Sequence, residues 1–398
     1  MKFRTTLLAT LVCLTAIASF ARASAAKTLL VDVNRVACPT APYTSIQAAV
    51  TAASSGDTIR ICPGVYVEQV SIDKSLTLTA ESGAILMPSS LQSNSTSLSD
   101  SSPIAVALLV TNTTHVTISG LIVDGTNNAI SACGHDFFGI AFQNASGTIE
   151  HSTVRNFELT AALNGCQAGT GILVQSGGGQ SSTVTIETSS IHDYQKNGIT
   201  ANDVGTSVVI NSNTVTGVGP TTGAAQNGIQ IGYGAAGSIT NNTVTNNVWS
   251  PCTAVATCTA VATNILVYES DGITLTNNVV SVSQVGIFIA ANNAKLTGNR
   301  SSANSVFDGI RLEGTSPNSS NSNSVQSNTV VNSSESGIYV DGNSNTIETN
   351  TIIEAGVGIL VTTGSTGNLI SRNSIFDCPT TIQDPKVRNI AQLLKPQR

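Results

Sequence analysis

A short strand-like pattern that begins with Gly-Ile recurs along the chain from residue 139 onward. Within each copy, apolar positions alternate with polar or small ones, as in a β-strand that buries one side. The two-residue period predicts that each Ile and the residue two positions later face inward. The copies are about 20 to 36 residues apart and begin at Gly139, Gly171, Gly198, Gly228, Gly286, Gly309, Gly337 and Gly358, with a variant at Asn264.

A second type of segment lies between these strands and carries an asparagine shortly after an apolar residue. The asparagines are Asn213, Asn242, Asn278, Asn299, Asn328, Asn350 and Asn373. Asparagine tolerates the left-handed backbone of a tight turn, and its side-chain amide can bond an asparagine above and below it. We therefore expect these residues to form one column in a stacked structure.

Self-similarity at this spacing indicates a solenoid, in which each turn of chain buries its apolar face against the next turn. The β-branched residues favour an all-β parallel β-helix whose coils stack at the strand spacing of about 4.8 Å. Disorder is the alternative for a chain rich in Ser, Thr, Asn and Gly, but 40% of the residues are hydrophobic and regularly placed. We expect flexibility mainly at the chain ends and in a Ser-rich loop over residues 89–103.

The N-terminal part departs from the repeat and is predicted to cap the solenoid. A helix from Ser45 to Ala53, with Thr44 as its N-cap, precedes strands around residues 58–61, 66–72 and 76–80. Such a helix would cover the open edge of the first coil, which is otherwise a template for aggregation.

Three N-terminal segments carry a family resemblance: SIQAAV, GDTIRICPGVYVEQV and KSLTLTAESG. They resemble the cap and first coils of the right-handed parallel β-helix proteins of the pectin-lyase-like superfamily, and the Gly-Ile and Asn repeats are similar to the repeats of that group. The resemblance covers residues 29–380 and implies a right-handed parallel β-helix solenoid with a short N-terminal capping helix. It implies no single activity, because the superfamily includes lyases, hydrolases, epimerases, esterases, NosD-like periplasmic proteins and members without known chemistry.

Two outward-facing columns follow from the alternation within the Gly-Ile strands. The first column contains Ala141, Leu173, Thr200, Gln230, Leu266, Phe288, Arg311, Tyr339 and Leu360. The second contains Gln143, Gln175, Asn202, Gly232, Tyr268, Ala290, Glu313, Asp341 and Thr362.

Charged and aromatic residues concentrate where these columns pass through the stretch FDGIRLEG, residues 307–314. Glu313 and Asp341 are expected about one strand spacing apart, where two carboxylates can act on a sugar as general acid and as base or nucleophile. Arg311 can neutralise a uronate. The alternative is a solvated surface cluster in which Arg311 bridges the two carboxylates. Three aromatic residues of the same columns can stack on sugar faces: Tyr268, Phe288 and Tyr339.

Asp308 is a further catalytic candidate, because it resembles the Asp of the Asp-Gly step in the polygalacturonase motif. The preceding residues here are Val306 and Phe307, and the other motifs of that family have no counterpart, which argues against that activity. Aspartate before glycine is also common in turns, so a turn is the alternative role.

A second candidate site combines His135 and Asp136 with His192, Asp193, Tyr194 and Lys196. A lyase or epimerase requires a base and a group that neutralises the uronate, and histidine with lysine can supply both. These residues fall at predicted coil corners, where the alternative is simple solvation.

Basic residues are scarce, and the formal net charge of the chain is −6. Between residues 75 and 294 the only basic residues are Arg155 and Lys196. A nucleic-acid surface requires clustered lysine and arginine, so nucleic acid is excluded as a partner. The same scarcity weighs against a highly anionic polysaccharide unless bound calcium supplies positive charge. The sequence carries no acidic calcium motif and no phosphate-binding loop, and we predict neither a cofactor nor a metal.

Residues 1–25 are predicted to be a secretory signal peptide. An apolar run over residues 7–20 follows two basic residues, and Ala25 completes an A-x-A cleavage site. Cleavage after Ala25 would remove three of the 17 basic residues and none of the 23 acidic ones, so the mature formal charge is −9. No later segment reaches the ~18 consecutive apolar residues of a membrane helix. We expect a secreted or periplasmic monomer without a stable membrane anchor.

Seven cysteines remain after the predicted cleavage, and disulfides are the expected state in an exported protein. Cys378 is predicted to be left over. A zinc site is the alternative, but the chain has no close CxxC pair and only four histidines. The predicted pairs are Cys252 with Cys258 across a short Ala/Thr loop, Cys38 with Cys62, and Cys133 with Cys166.

The predicted organisation has four parts after the signal peptide. They are the cap and first coils over residues 26–88, the Ser-rich loop over 89–103, the β-helix repeats over 104–380 and a C-terminal tail over 381–398.

The sequence favours an exported β-helix that binds a glycan, with a polysaccharide as its partner, or that serves as a surface or periplasmic scaffold without catalysis. The alternative is a carbohydrate-active enzyme, either a polysaccharide lyase, a glycoside hydrolase or an epimerase. It would use the outward face near Arg311, Glu313 and Asp341.

Overall fold

The computed structural model describes residues 25–134, 136–314 and 319–384. Residues 1–24 of the predicted signal peptide, His135 and the last fourteen residues of the predicted tail therefore lie outside the described residues. The described chain is almost entirely β-structure, with one α-helix, Ile46–Ala52, and two short 3-10 helices, Ala161–Leu163 and Val255–Thr257. None of these helices is long and apolar enough to cross a membrane.

The strands stack into three parallel faces of a right-handed parallel β-helix, as predicted. Within the described residues the first face contains thirteen strands. They are Thr28–Val31, Thr58–Ile61, Thr77–Ala80, Val116–Ser119, Gly147–Glu150, Ser182–Glu187, Thr206–Asn211, Ala236–Thr240, Thr274–Thr276, Lys295–Thr297, Ser324–Gln326, Thr346–Glu348 and Leu369–Ser371.

The second and third faces are joined by two long strands, Thr329–Asp341 and Thr351–Val361, which run through both. The other strands of the second face are Gly64–Tyr66, Ala84–Leu86, Ile122–Asp124, Thr153–Phe157, Ser190–Tyr194, Thr214–Thr221, Thr243–Trp249, Val279–Ser283, Arg300–Asn304 and Ser374–Phe376. Those of the third face are Val70–Ile72, Pro103–Thr111, Asp136–Gln143, Thr170–Gln175, Asn197–Asn202, Asn227–Gly232, Thr263–Tyr268, Val285–Ala290, Ile310–Glu313 and Thr380–Gln383.

The Gly-Ile strands form the third face, and their isoleucines stack directly on one another inside the solenoid. Each is almost completely buried and pairs in register with the next coil, which confirms the predicted alternation. This continuous apolar column stabilises coils that cannot bury their own faces. Its members are Ile140, Ile172, Ile199, Ile229, Ile265, Ile287, Ile310, Ile338 and Ile359.

Eight of the nine stacked isoleucines follow a glycine that lies where the coils pack closely, and Asn264 takes this place before Ile265. A Cβ placed on Gly309 would lie 2.9 Å from the carbonyl oxygen of Gly337 and would collide with a methyl group of Val330. The same clash with the next coil's backbone recurs at Gly171 and Gly198. The Gly-Ile motif therefore reflects the narrow space between the second and third faces.

The asparagine column forms as predicted, inside the turn between the first and second faces. Asn278 donates its side-chain amide to the side-chain oxygen of Asn299 at 2.9 Å, and Asn299 repeats the contact with Asn328. The column continues from Asn213 to Asn373. The left-handed backbone, however, belongs to the residue before each asparagine rather than to the asparagine. The asparagine turns inward because its amide supplies the hydrogen bonds that the buried turn lacks.

The capping helix begins one residue later than predicted. Ser45, rather than Thr44, is the N-cap: its backbone is extended and its hydroxyl accepts a hydrogen bond from the amide of Ala48. The carboxylate of Glu68 accepts hydrogen bonds from the amides of Ile46 and Gln47, which completes the first turn.

The Ser-rich segment, residues 89–103, folds over the outside of the third face. Its strand Ser93–Thr96 pairs antiparallel with Pro103–Thr111. Further along, the amide of Leu98 donates to the side chain of Gln175 at 2.9 Å. This segment forms one side of the cleft described below.

All three predicted disulfides are present, and Cys378 is the one cysteine without a disulfide among the described residues. Two of the bonds hold together segments that lie on neighbouring coils, whereas the third closes a short loop. The pairs are Cys38–Cys62, Cys133–Cys166 and Cys252–Cys258.

Candidate functional site

The outer surface of the third face carries the predicted columns in the predicted order. Leu266, Phe288, Arg311 and Tyr339 pair in register on successive coils, and Glu313 pairs with Asp341. The sequence pattern therefore correctly places these side chains next to one another. Their detailed contacts differ from the expected solvated cluster.

Arg311 is the centre of a compact ionic group, named here the Arg311 cluster: Arg311, Asp308, Glu313 and Glu335. Its guanidinium donates to Glu313 at 2.6 Å and to Asp308 at 2.5 Å, and it lies 3.5 Å from Glu335. Only 11% of its side chain is exposed. Arg311 is therefore packed against its neighbours on the third face and is not a solvated surface residue.

Two aromatic rings cover the guanidinium of Arg311. It lies 3.9 Å from the ring centroid of Tyr339 and 5.2 Å from that of Phe307. Such cation-π contacts are strongest where water is excluded. One face of Tyr339 is therefore occupied by the chain itself.

Asp308 is fully buried, so it is neither a solvated turn residue nor an exposed carboxylate. Its side chain accepts hydrogen bonds from the amide of Ser336 at 3.1 Å and from the hydroxyl of Ser336 at 2.5 Å. Burial raises the pKa of Asp308 to about 6, although Arg311 and Ser336 act in the opposite direction. The pKa of Arg311 is raised by Glu313 and Asp308 despite the opposing effect of burial.

Asp341 does not join the Arg311 cluster. Its carboxylate accepts a hydrogen bond from the hydroxyl of Thr362 at 2.7 Å. The alternative in which Arg311 bridges Glu313 and Asp341 is therefore wrong for Asp341, and Glu335 takes its place. The sequence offers little sign of this, because Glu335 lies where the register of its strand shifts between Ser333 and Ser336.

The other two predicted aromatic residues lie in different surroundings. Phe288 is partly buried against an apolar group that includes Val285, Val306 and Phe307. Tyr268 packs edge-on against Tyr233, with ring centroids 5.3 Å apart. The three aromatic rings therefore do not form one open platform.

A cleft of about 480 Å³ lies on the N-terminal half of the same face, between the Ser-rich segment and the Gly-Ile strands. We name it the third-face cleft. Its floor is formed by outward residues of three successive strands, Thr170–Gln175, Asn197–Asn202 and Asn227–Gly232. The residues at its floor are Thr170, Leu173, Gln175, Asn197, Thr200, Asn202 and Gln230.

The floor of the third-face cleft is a network of amides and hydroxyls. Asn197 donates to the hydroxyl of Thr200 at 2.9 Å, and Gln230 donates to the side-chain oxygen of Asn202 at 3.2 Å. Asn227 on the next coil donates to Asn197 at 3.1 Å. These bonds fix the orientation of the polar groups, so the floor is pre-organised.

Charged residues stand at both ends of the third-face cleft. Asp136 and Lys196 lie where the strands begin, and Asp203 lies where they end. The amine of Lys196 donates to the carbonyl of Ala225 at 2.6 Å, and burial lowers its pKa to about 8. Asp203 accepts hydrogen bonds from Gln175 at 2.9 Å and from Ser99 at 2.6 Å, which fastens the Ser-rich segment across the face.

Tyr233 supplies an open aromatic ring at the rim of the third-face cleft. It is 49% exposed and its backbone is left-handed, with φ of 57°. Burial of part of the ring, followed by the influence of Tyr268, raises its pKa. In the sequence, Tyr233 directly follows the strand Asn227–Gly232. No repeated pattern in the sequence distinguishes it as a candidate site residue.

The second predicted site is divided by the fold. Asp136 and Lys196 come together in the third-face cleft. His192 and Asp193 lie instead on the second face, where they bond each other at 2.6 Å. Tyr194 points into the core and donates to Asn247.

Comparison with known proteins identifies the fold. A family model described as periplasmic copper-binding protein (NosD) matches residues 252–386, about a third of the chain. No curated protein matches the chain in sequence. The chain has a right-handed parallel β-helix fold.

Solved structures that resemble the chain include three proteins whose names refer to sugars. The lacto-N-biosidase from Eubacterium ramulus has a TM-score of 0.59 at 12% identity and covers 88% of this chain and 68% of that one. XylC in its complex with xylose has a TM-score of 0.56 at 10% identity, with coverage of 92% and 86%. The A-module of a mannuronan C-5 epimerase from Azotobacter vinelandii has a TM-score of 0.50 at 15% identity, with coverage of 87% and 94%. At these identities the likeness concerns the fold alone.

Proposed function

We propose that this protein is an exported glycan-binding β-helix that holds an uncharged sugar chain in the third-face cleft. The observation that carries the proposal is the fixed polar floor beneath an open aromatic rim. Amide groups match sugar hydroxyls, and an exposed tyrosine can stack on the apolar face of a sugar ring. The volume of about 480 Å³ is within the range of roughly 300–1,000 Å³ that is typical of ligand sites.

The charges favour a neutral glycan over an anionic one. Asp100, Asp136 and Asp203 line the third-face cleft together with a single basic residue, Lys196. A uronate would meet a net negative site and would have to be desolvated there. The Arg311 cluster offers no better anion site, because its guanidinium is already paired with carboxylates of this chain.

The similar structures support sugar as the ligand class. Lacto-N-biosidase, a xylose complex and a mannuronan epimerase share the fold with this chain. We assign none of their activities to this chain, because proteins that share a fold can have many unrelated activities. The three disulfides support export, since such bonds persist in oxidising compartments.

Copper binding, which appears in the name of the matching family model, does not fit the residues of this chain. Residues 252–386 contain no histidine and no methionine. Of their three cysteines, Cys252 and Cys258 form a disulfide, which leaves the thiol of Cys378. Copper sites require several nitrogen or sulfur ligands, so we propose no copper site.

The proposal is tested by measuring binding to immobilised neutral polysaccharides (xylan, inulin, galactomannan and laminarin), with polygalacturonate and alginate as anionic comparisons. We expect binding to one or more neutral glycans and to neither anionic one. Tyr233→Asn should weaken that binding roughly 2- to 13-fold through lost stacking, because an aromatic contact contributes about 0.5–1.5 kcal/mol. Asparagine is chosen because it tolerates the left-handed backbone at this position.

Tyr233→Phe is the matched control, since it keeps the ring, and it should bind like the wild type. A second comparison uses the double variant Glu313→Gln with Asp341→Asn. If this variant loses binding while Tyr233→Asn keeps it, the glycan site is at the Arg311 cluster and the proposal is wrong. If no glycan in the panel binds, the protein is better described as a scaffold.

A further inference from the structure

The Ser-rich segment folds back on itself as a hairpin with two distinct parts. Its stem consists of the strand Ser93–Thr96 and the antiparallel start of Pro103–Thr111. The side chain of Asn94 fixes the stem, because it accepts from the amide of Val106 and donates to its carbonyl, both at 2.9 Å. The tip consists of residues 97–102, which two backbone hydrogen bonds close into a turn.

Side chains of the third face hold the tip in place. The amide of Leu98 donates to the side-chain oxygen of Gln175 at 2.9 Å. The hydroxyl of Ser99 donates to the carboxylate of Asp203 at 2.6 Å and accepts from the side-chain amide of Gln175 at 2.7 Å. Gln175 also donates to Asp203 at 2.9 Å, so both residues bond the same carboxylate. We name this group of four residues the Asp203 latch.

Little apolar burial supports the tip. Its sequence is Ser-Leu-Ser-Asp-Ser-Ser, so Leu98 is its one apolar residue. Leu98 is half-buried and packs over Gly177, since a Cβ added to Gly177 would lie 2.8 Å from the Cβ of Leu98. Ser99 and Asp100 are exposed. A segment with few apolar contacts and exposed hydrogen bonds opens at a lower free-energy cost than the core beside it.

The tip also forms part of the third-face cleft. Ser97, Ser99 and Asp100 line the cleft together with the residues of its floor. Opening of the tip would therefore widen the cleft, whereas the closed tip narrows it. A segment that closes over a bound molecule slows the release of that molecule.

We propose that the tip is a lid of the third-face cleft and that Asp203 is the positioning residue that keeps it closed over a bound glycan. This inference rests on the proposed function, because it requires a sugar chain in the same cleft. The Asp203 latch breaks when the chain enters or leaves, and it forms again around the bound chain. Asp203 acts through Ser99 and Gln175 and needs no contact with the sugar.

The first measurement is hydrogen–deuterium exchange of the full-length protein without a glycan. Asp203→Gly removes the carboxylate, and glycine tolerates the left-handed backbone at this position, where φ is 76°. Amides of the tip should exchange at least roughly 10-fold faster, because hydrogen bonds to a charged group are lost. Exchange in the stem should not change, because Asn94 still fixes it. Equal exchange of the tip in the variant and the wild type contradicts the latch.

Three further variants support this comparison. Gly177→Ala leaves the Asp203 latch intact but presses a methyl group against Leu98, so it should also speed exchange in the tip. Asp203→Asn keeps a side-chain oxygen that can accept from Ser99, so it should restore most of the protection that Asp203→Gly loses. Asp377→Gly is the matched control, because Asp377 is exposed on the last coil with φ of 54°. It should leave exchange in the tip unchanged.

The second measurement gives the association and dissociation rates of an oligosaccharide of the neutral glycan that the binding panel identifies. Asp203→Gly should raise the dissociation rate roughly 10-fold and leave the association rate within about 3-fold, because an open lid does not hinder entry. Asp377→Gly should match the wild type in both rates. Faster exchange of the tip with an unchanged dissociation rate contradicts the lid and leaves the binding proposal standing. A panel without any retained glycan contradicts the proposed function itself and the lid with it.

Discussion

At the residue scale, the carboxyl of Asp308 is fully buried beside the guanidinium of Arg311. It is held by the amide and hydroxyl of Ser336 and by the guanidinium of Arg311. A buried charge is tolerated only when it is paired and hydrogen-bonded. Asp308 therefore ties the start of the Arg311 strand to the neighbouring coil.

This environment predicts a specific dependence of stability on pH. Burial raises the pKa of Asp308 to about 6, whereas the unfolded chain has the ordinary value of 3.8. The folded state therefore binds more protons than the unfolded state between these values, and the contribution of Asp308 to stability falls as the pH rises through this window. Above about pH 6 to 7 this contribution no longer changes.

The measurement is chemical denaturation of the wild type and of Asp308→Asn at several pH values between about 4 and 7. The free energy of unfolding of the wild type, relative to that of the variant, should decrease with rising pH. Parallel profiles for the two proteins would show that the Asp308 carboxyl has no raised pKa.

The sequence predicts the position of Arg311 but not its environment. Alternation along the strand correctly gives Arg311 an outward direction and Tyr339 as its neighbour. Phe307 and Tyr339 nevertheless cover the guanidinium, and Glu335 reaches it from an irregular part of the next coil. Side-chain contacts of this kind depend on strand irregularities that periodicity cannot describe.

At the scale of the strand, the Gly-Ile motif reflects a limit on space between coils. Gly309→Ala would press a methyl group against Val330 and against the carbonyl of Gly337. Overpacking of a rigid core typically costs about 1–3 kcal/mol, so we expect a loss of this size in the free energy of unfolding. Gly364→Ala is the matched control, because no atom lies within 4 Å of the added Cβ and the backbone is not left-handed.

The two alanine variants are compared by thermal and chemical denaturation. The control should differ from the wild type by less than about 0.5 kcal/mol. Equal stability of the two variants would contradict the packing explanation of the motif.

The asparagine column shows how far an element can be predicted from its repeat. The stacking of amides from Asn213 to Asn373 follows from their regular spacing and is confirmed. The left-handed residue lies one position before the asparagine, because the turn places the asparagine amide inside the solenoid. A repeat fixes which residues stack, whereas the backbone conformation at each turn depends on the hydrogen bonds that must be satisfied there.

At the scale of the whole molecule, the third-face cleft arises from contacts that are distant in sequence. Ser99 bonds Asp203 across 104 residues, and Leu98 bonds Gln175 across 77. The Ser-rich segment lacks the repeat, so its composition suggested only a loop. The solenoid was therefore predictable from periodicity, whereas the segment that completes the cleft was not.

The most direct test of the account is a crystal structure of the protein with an oligosaccharide of the neutral glycan that it retains. We expect the sugar rings to lie in the third-face cleft, with hydroxyls bonded to Gln230 and Asn202 and one ring against Tyr233. Sugar density over Arg311 and Tyr339, with the cleft empty, would contradict the central claim.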